Sequence, residues 1–137
     1  QAVPYEQILP EGLYDKLLIT INGTIKPNLQ TNFSITSSDI AFHFNPRFND
    51  CGQKVLVRNT CIKTKWGQEE RNVKEFPFTR GQPFQLKILC TKSGYMVAVN
   101  NVHLFEYKHR ITNLKSINKL SILYDLTLSN VSTETAH

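Results

Sequence analysis

In the stretch AFHFNPRFND, residues 41–50, His43, Asn45 and Arg47 recur at every second position, out of phase with Phe42, Phe44 and Phe48. A period of two belongs to a strand, so the phenylalanines face a core and the three polar groups face outward together. An antiparallel sheet with one wet face must show polar residues there. That alone would be met by Lys, Glu and Thr, whereas His, Asn and Arg each supply several directional donors or acceptors. In a row they form a fan of hydrogen-bonding groups, suited to gripping a polyhydroxylated ligand.

The following segment extends the row. VRNTCIKTKWGQEER, residues 57–71, comes after a turn expected at Cys51-Gly52. If its strand is antiparallel to the first, Asn59 lies beside the row and the next turn brings Trp66 back to the same surface. Glu69 and Arg71, two apart, are expected on one face of the strand after that. The candidate binding residues are therefore His43, Asn45, Arg47, Asn59, Trp66, Glu69 and Arg71.

Trp66 is the only tryptophan, and it stands in the loop KTKWGQ rather than in an apolar run, which predicts an exposed or half-exposed ring. Exposed large aromatics beside polar groups mark binding surfaces. A pyranose offers an apolar C–H face to lay on such a ring and an edge of hydroxyls that donate and accept. An axial hydroxyl adds discrimination, because a site built around it leaves polar groups unpaired when the epimer binds.

The elements that must position these groups are strands. KLLITINGTIK, TNFSIT, residues 41–50, KVLVRNT, FPF, PFQLKILCT, GYMVAVNNVHLFEY and SINKLSILYDLTLSNVS are short, rich in β-branched and aromatic residues, and bounded by Gly, Pro, Asn, Asp or Ser. They predict an all-β antiparallel sandwich or barrel. In the first, Leu17, Ile19 and Ile21 alternate with Leu18, Thr20 and Asn22; Asn22-Gly23 marks either a turn or a bulge, and Pro27 and Asn28 end the run. Tyr95 to Tyr107 reads as a hairpin turning at Asn100-Asn101. Ile111, Leu114 and Ile117 support no more than one 3₁₀ turn, and SNVSTETAH reads as a tail.

At 137 residues, with 40% hydrophobic and 20% charged residues, the chain suits one globular domain over 1–137. No apolar run approaches the roughly 20 residues that would span a bilayer, so no membrane insertion is expected. The net charge of +5 permits acidic partners, but the basic residues are scattered. Even residues 107–119, with Lys108, Arg110, Lys115 and Lys119, read as a solvated rim rather than a nucleic-acid tract. Cys51, Cys61 and Cys90 are odd in number, which leaves at least one free thiol in a monomer. They lack metal-ligand spacing, His103 and His109 are far from His43, and no acidic cluster suggests calcium, so no metal or cofactor is expected. The chain opens on Gln1 without a signal-peptide pattern, and the sequons at Asn22, Asn32 and Asn130 are read as unused.

HFNPRF, VRNT, WGQEER, FPFTRGQPFQLKI and YMVAVNNVHLFEYKHRI, in that order and at that spacing, resemble the galectin family of β-galactoside-binding lectins. The likeness runs from Val3 to about Leu128 and is greatest to the recognition domain of the chimera-type member, with tandem-repeat domains next. It implies a β-sandwich of jelly-roll type with a shallow groove. It also implies roles: His43, Asn45 and Arg47 on the axial 4-hydroxyl of galactose, Asn59 and Glu69 on its 6-hydroxyl, and Trp66 under the ring. Arg47, Glu69 and Arg71 would reach the next sugar, with Glu69 held between the two guanidiniums. Asp50 stands where members often carry a longer glutamate, and Ser34 and Thr36 where a charged strand often borders the groove, which leaves the subsites beyond galactose open. The partners implied are galactoside-terminated glycans, met by a protein made in the cytosol and exported without a signal peptide.

The same residues bear on two rival readings. A glycoside hydrolase needs two carboxyl groups across the scissile bond, one kept protonated. Glu69, expected to be engaged by Arg47 and Arg71, is in the opposite setting, Glu70 is expected on the other face, and no second acid completes a pair. A sugar-blind interaction module on the same fold would be marked by loss of the tryptophan or the arginines, and both are present. At about −0.3 kcal/mol per heavy atom, a disaccharide of roughly 23 heavy atoms is limited to ~10 μM, so useful avidity calls for multivalent display.

Overall fold

The computed structural model describes residues 4–26, 31–71, 75–124 and 126–136. Its strands are β1 (Tyr5–Ile8), β2 (Leu17–Ile25), β3 (Thr31–Thr36), β4 (Ile40–Asp50), β5 (Gln53–Ile62), β6 (Lys65–Trp66), β7 (Pro83–Cys90), β8 (Gly94–Val99), β9 (Val102–Lys108), β10 (Lys119–Tyr124) and β11 (Leu126–Thr135). They form two antiparallel sheets, ordered β1-β10-β3-β4-β5-β6 and β11-β2-β7-β8-β9. This is the expected all-β sandwich of jelly-roll type.

Alternation builds the core. Leu17, Ile19, Ile21 and Ile25 of β2 point inward with Leu86 and Ile88 of β7 and Val97 of β8, all buried. From the other sheet come Phe33, Ile35, Phe42, Phe44, Leu120 and Ile122, also buried. The Phe42 ring stacks on Tyr95 at 4.7 Å between centroids, which locks β4 of one sheet to β8 of the other. The inward phenylalanines thus fix which face of β4 turns outward.

β2 runs straight through Asn22-Gly23, and the alternative of a bulge holds on its partner: the β11 register shifts between Leu128 and Asn130. A Cβ on Gly23 would lie 2.5 Å from Thr127 O, so the backbones approach closely because this residue has no side chain. Pro27 and Asn28, expected to end β2, lie outside the described residues. The β8–β9 hairpin turns as expected at Asn100 and Asn101, both with positive φ (52° and 67°). The expected 3₁₀ turn is Leu114–Ser116.

Three expectations are corrected. FPF is no strand; Phe76 and Phe78 are side chains of an irregular segment packed on Phe48, Phe44 and Phe84. The tail SNVSTETAH is mostly strand: β11 pairs with β2 as far as Thr135↔Leu17, a pairing made by backbone groups that polar side chains do not prevent. Glu69 and Arg71, expected on one face of a strand, lie outside one: the short strand β6 takes in Trp66, expected in a loop, and ends there, and pairing resumes only at the isolated bridge Arg58↔Glu70.

Candidate functional site

The site is carried by the β4–β5 hairpin. Its turn sits at Cys51 and Gly52, both with positive φ, and its register places His43 opposite Asn59. β6 folds back so that Trp66 pairs with Cys61. His43, Arg47, Asn59, Trp66 and Glu69 thereby line one groove of about 560 Å³, with Val57 and Gly67. Trp66 is 52% exposed, as its polar surroundings in the sequence predict.

Asn45 and Arg71 take supporting places. Asn45 is 2% exposed and lies behind Arg47. Extending the pair Phe33↔Phe44 by two residues sets Thr31 opposite Pro46, which has no N–H to give. Asn45 Nδ2 donates to Thr31 O at 2.9 Å instead. Its Oδ1 accepts from Arg47 Nε at 2.8 Å and so aims the guanidinium. One amide replaces a missing ladder bond and fixes the arginine above it.

The ion pairs differ from expectation. Glu69 does not sit between the two arginines: its Oε2 meets Arg71 Nε at 3.2 Å, and the carboxylate that joins them is Asp50. Asp50 Oδ2 accepts from Arg71 Nη2 and lies 3.7 Å from Arg47 Nη1. Asp50 closes the hairpin at Asp50↔Gln53, and this position rather than side-chain length lets it reach both guanidiniums.

His43 is set from two sides. Its Nδ1 lies 3.2 Å from Ser34 Oγ of β3, and its ring meets the indole of Trp66. Burial, and then the nearby Arg47 charge, lower its pKa, so the imidazole is held in its neutral form. A neutral ring with Nδ1 engaged by a hydroxyl keeps Nε2 for other use.

Sequence reasoning missed Arg110, assigned to a solvated rim. Its Nη1 donates to Asn59 Oδ1 at 3.0 Å, and its Nη2 to Gln68 O and Glu70 Oε2, both at 2.9 Å. The only signal in the sequence was its place just past a predicted strand, and the contact spans residues 51 positions apart. The groove so assembled is lined by a half-exposed aromatic wall, a neutral imidazole, one braced guanidinium, an amide and a single carboxylate, Glu69, so its lining holds no facing pair of carboxyls.

A family profile for galactoside-binding lectins matches residues 4–133. Galectin-3 of Oryctolagus cuniculus is 47% identical over 133 residues, which cover 95% of this chain and 54% of that protein. Galectin-6 of Mus musculus is 44% identical over 134 residues, covering 95% and 43%. The chain thus spans about half the length of the curated relatives it matches. Among solved structures, sheep galectin-11 in complex with glycerol superposes with a TM-score of 0.87 at 27% identity, covering 98% of this chain and 99% of that one. A variant of human galectin-16 gives 0.84, also at 27%, covering 99% and 98%. The chain belongs to the galactoside-binding lectin family, the galectins.

Proposed function

We propose that the chain binds β-galactosides of the lactose and N-acetyllactosamine type in the β4–β5–β6 groove, without covalent chemistry. The observation that carries this reading is the corner made by Trp66 and His43 over a groove also lined by Arg47, Asn59 and Glu69. The galactose ring lays its apolar face on Trp66. His43 and Arg47, the latter aimed by Asn45, take the axial 4-hydroxyl, while Asn59 and Glu69 take the 6-hydroxyl. Arg47, Glu69 and Arg71, joined through Asp50, border the second sugar. Glucose in place of galactose would leave the Arg47 and His43 groups unpaired, the source of selectivity.

Calorimetric titration with lactose, and with cellobiose as the 4′-epimer, tests the reading. Saturable binding of lactose in the range above ~10 μM and none of cellobiose is the expected result. Equal binding of both, or of neither, would sink it. We further propose a single recognition domain over 1–137, multivalent display, and cytosolic synthesis with export lacking a signal peptide; cell fractionation with and without a secretion-pathway block tests the last.

A further inference from the structure

β6 is tied to β5 by the pairs Cys61↔Trp66 and Ile62↔Lys65, and the chain beyond it leaves the ladder until Glu70. Gly67 N–H donates to Thr60 O at 2.9 Å, and the segment between is further held by the side chains of Asn59, which donates to Gly67 O, Arg71, which pairs with Glu69, and Arg110, which donates to Gln68 O. The Arg110 guanidinium stacks on Tyr107, 4.9 Å from the ring centre, and the Tyr107 hydroxyl meets Thr60 Oγ1 at 2.6 Å. Arg110 follows β9 of the five-stranded sheet, so it reaches the groove from the opposite layer.

The same guanidinium, together with Thr60 N–H, sets which way Asn59 points. Arg110 Nη1–H and Thr60 N–H can only donate, and both aim at Asn59 at 3.0 and 2.7 Å, so Oδ1 must face them. Both lone pairs of that oxygen are then used. Nδ2 faces the other way and gives one hydrogen to Gly67 O at 2.9 Å. Its second hydrogen has no partner among the described residues, and Asn59 lines the groove.

We infer that Arg110 is a positioning residue of the groove: by holding Asn59 Oδ1, the Gln68 carbonyl and the Glu70 carboxylate, it helps make Asn59 a hydrogen-bond donor to an acceptor oxygen of the ligand. The identity of that oxygen rests on the galactoside reading, in which it is the 6-hydroxyl. Arg110 touches no ligand, and its effect passes through Asn59. A planar fork is required, because one ammonium cannot reach an amide oxygen, a backbone carbonyl and a carboxylate at once.

The test compares lactose with 6′-deoxylactose by calorimetry on wild type, Arg110→Met, Arg110→Lys and Glu70→Gln. Arg110→Met is expected to weaken lactose about tenfold and 6′-deoxylactose much less, so that the ratio between the two sugars collapses. Arg110→Lys should not restore it. Glu70→Gln, which keeps side-chain volume and removes one anchor, should narrow the ratio in the same direction, and it serves if Arg110→Met does not fold. An unchanged ratio in Arg110→Met, or in Glu70→Gln where only that variant folds, or full rescue by lysine, overturns the role of Arg110 alone. Wild-type protein that fails to bind lactose overturns the galactoside reading and this inference with it.

Discussion

The imidazole of His43 meets the indole of Trp66 edge to face, with ring centroids 5.2 Å apart and planes at 60°, although β5 separates their strands. The two rings form a corner over Asn59, which lies on the intervening strand opposite His43. A polar group that can address a hydroxyl and an apolar wall that can take a C–H face are thus held in fixed relation before any ligand arrives.

Trp66→Ala removes the wall and leaves the sheet intact, since the ring is half exposed and belongs to an edge strand. Lactose affinity is expected to fall at least ~30-fold, about 2 kcal/mol, as for other aromatic anchors. The melting temperature should stay within a few degrees of wild type. Calorimetry alongside a thermal melt reads both; retained affinity would remove Trp66 from the site.

Protonation of His43 is the next expectation. Its native pKa lies below the ordinary value near 6.5, from burial first and Arg47 second. The unfolded chain therefore takes up this proton before the native one does. The stability contribution is fully present above pH ~6.5 and is lost as pH falls through that value toward the native pKa. Between pH 7 and 5 the melting temperature of wild type should drop more steeply than that of His43→Gln. Parallel slopes would show that the ring titrates normally.

Asp50→Asn separates the two arginines. The pairs are partly exposed, so the loss is modest: about 1 kcal/mol, or roughly fivefold in lactose affinity. Methyl β-galactoside, which lacks the second sugar, should be affected much less. Equal losses for both ligands would place the Asp50 contacts elsewhere than beside the second sugar.

The three thiols should sort by position. Cys51 is exposed at the hairpin turn, Cys61 is partly exposed, and Cys90 is 1% exposed with its pKa pushed up to about 11 by burial and then by Asp15. A thiol reagent at pH 8 should react with Cys51 first and with Cys90 only on unfolding. Mass spectrometry of the labelled peptides checks the order, and prompt labelling of native Cys90 would contradict it.

Much of the site was legible because its signals are local. The alternation of Phe42 and Phe44 with His43 and Asn45 sets the face, and the Cys51-Gly52 turn sets the register that brings Asn59 alongside. What stayed hidden depends on distant partners. Arg110 looked like a rim residue because its acceptors, Asn59, Gln68 and Glu70, lie 40 or more positions away. β1 was missed because YEQI is short and its Ile8 is 61% exposed, and its pairing with β10 is made by backbone. FPF imitated a strand because its phenylalanines are core residues, though their backbone is irregular. Asp50 was seen, but its place between two arginines follows from the bulged end of the β4–β5 ladder, which spacing alone does not reveal.

The unequal attachment of the groove's two walls bears on mechanical load. His43 and Arg47 sit on β4, zipped on both flanks to β3 and β5, whereas Trp66 rides on a two-residue edge strand. A tether pulling a bound glycan away from the sheet would therefore meet a stiff side and a compliant one. On the proposed galactoside reading, the Trp66 side is expected to yield first under tension, and bonds to a loaded glycan to break by peeling from the aromatic wall toward the hairpin.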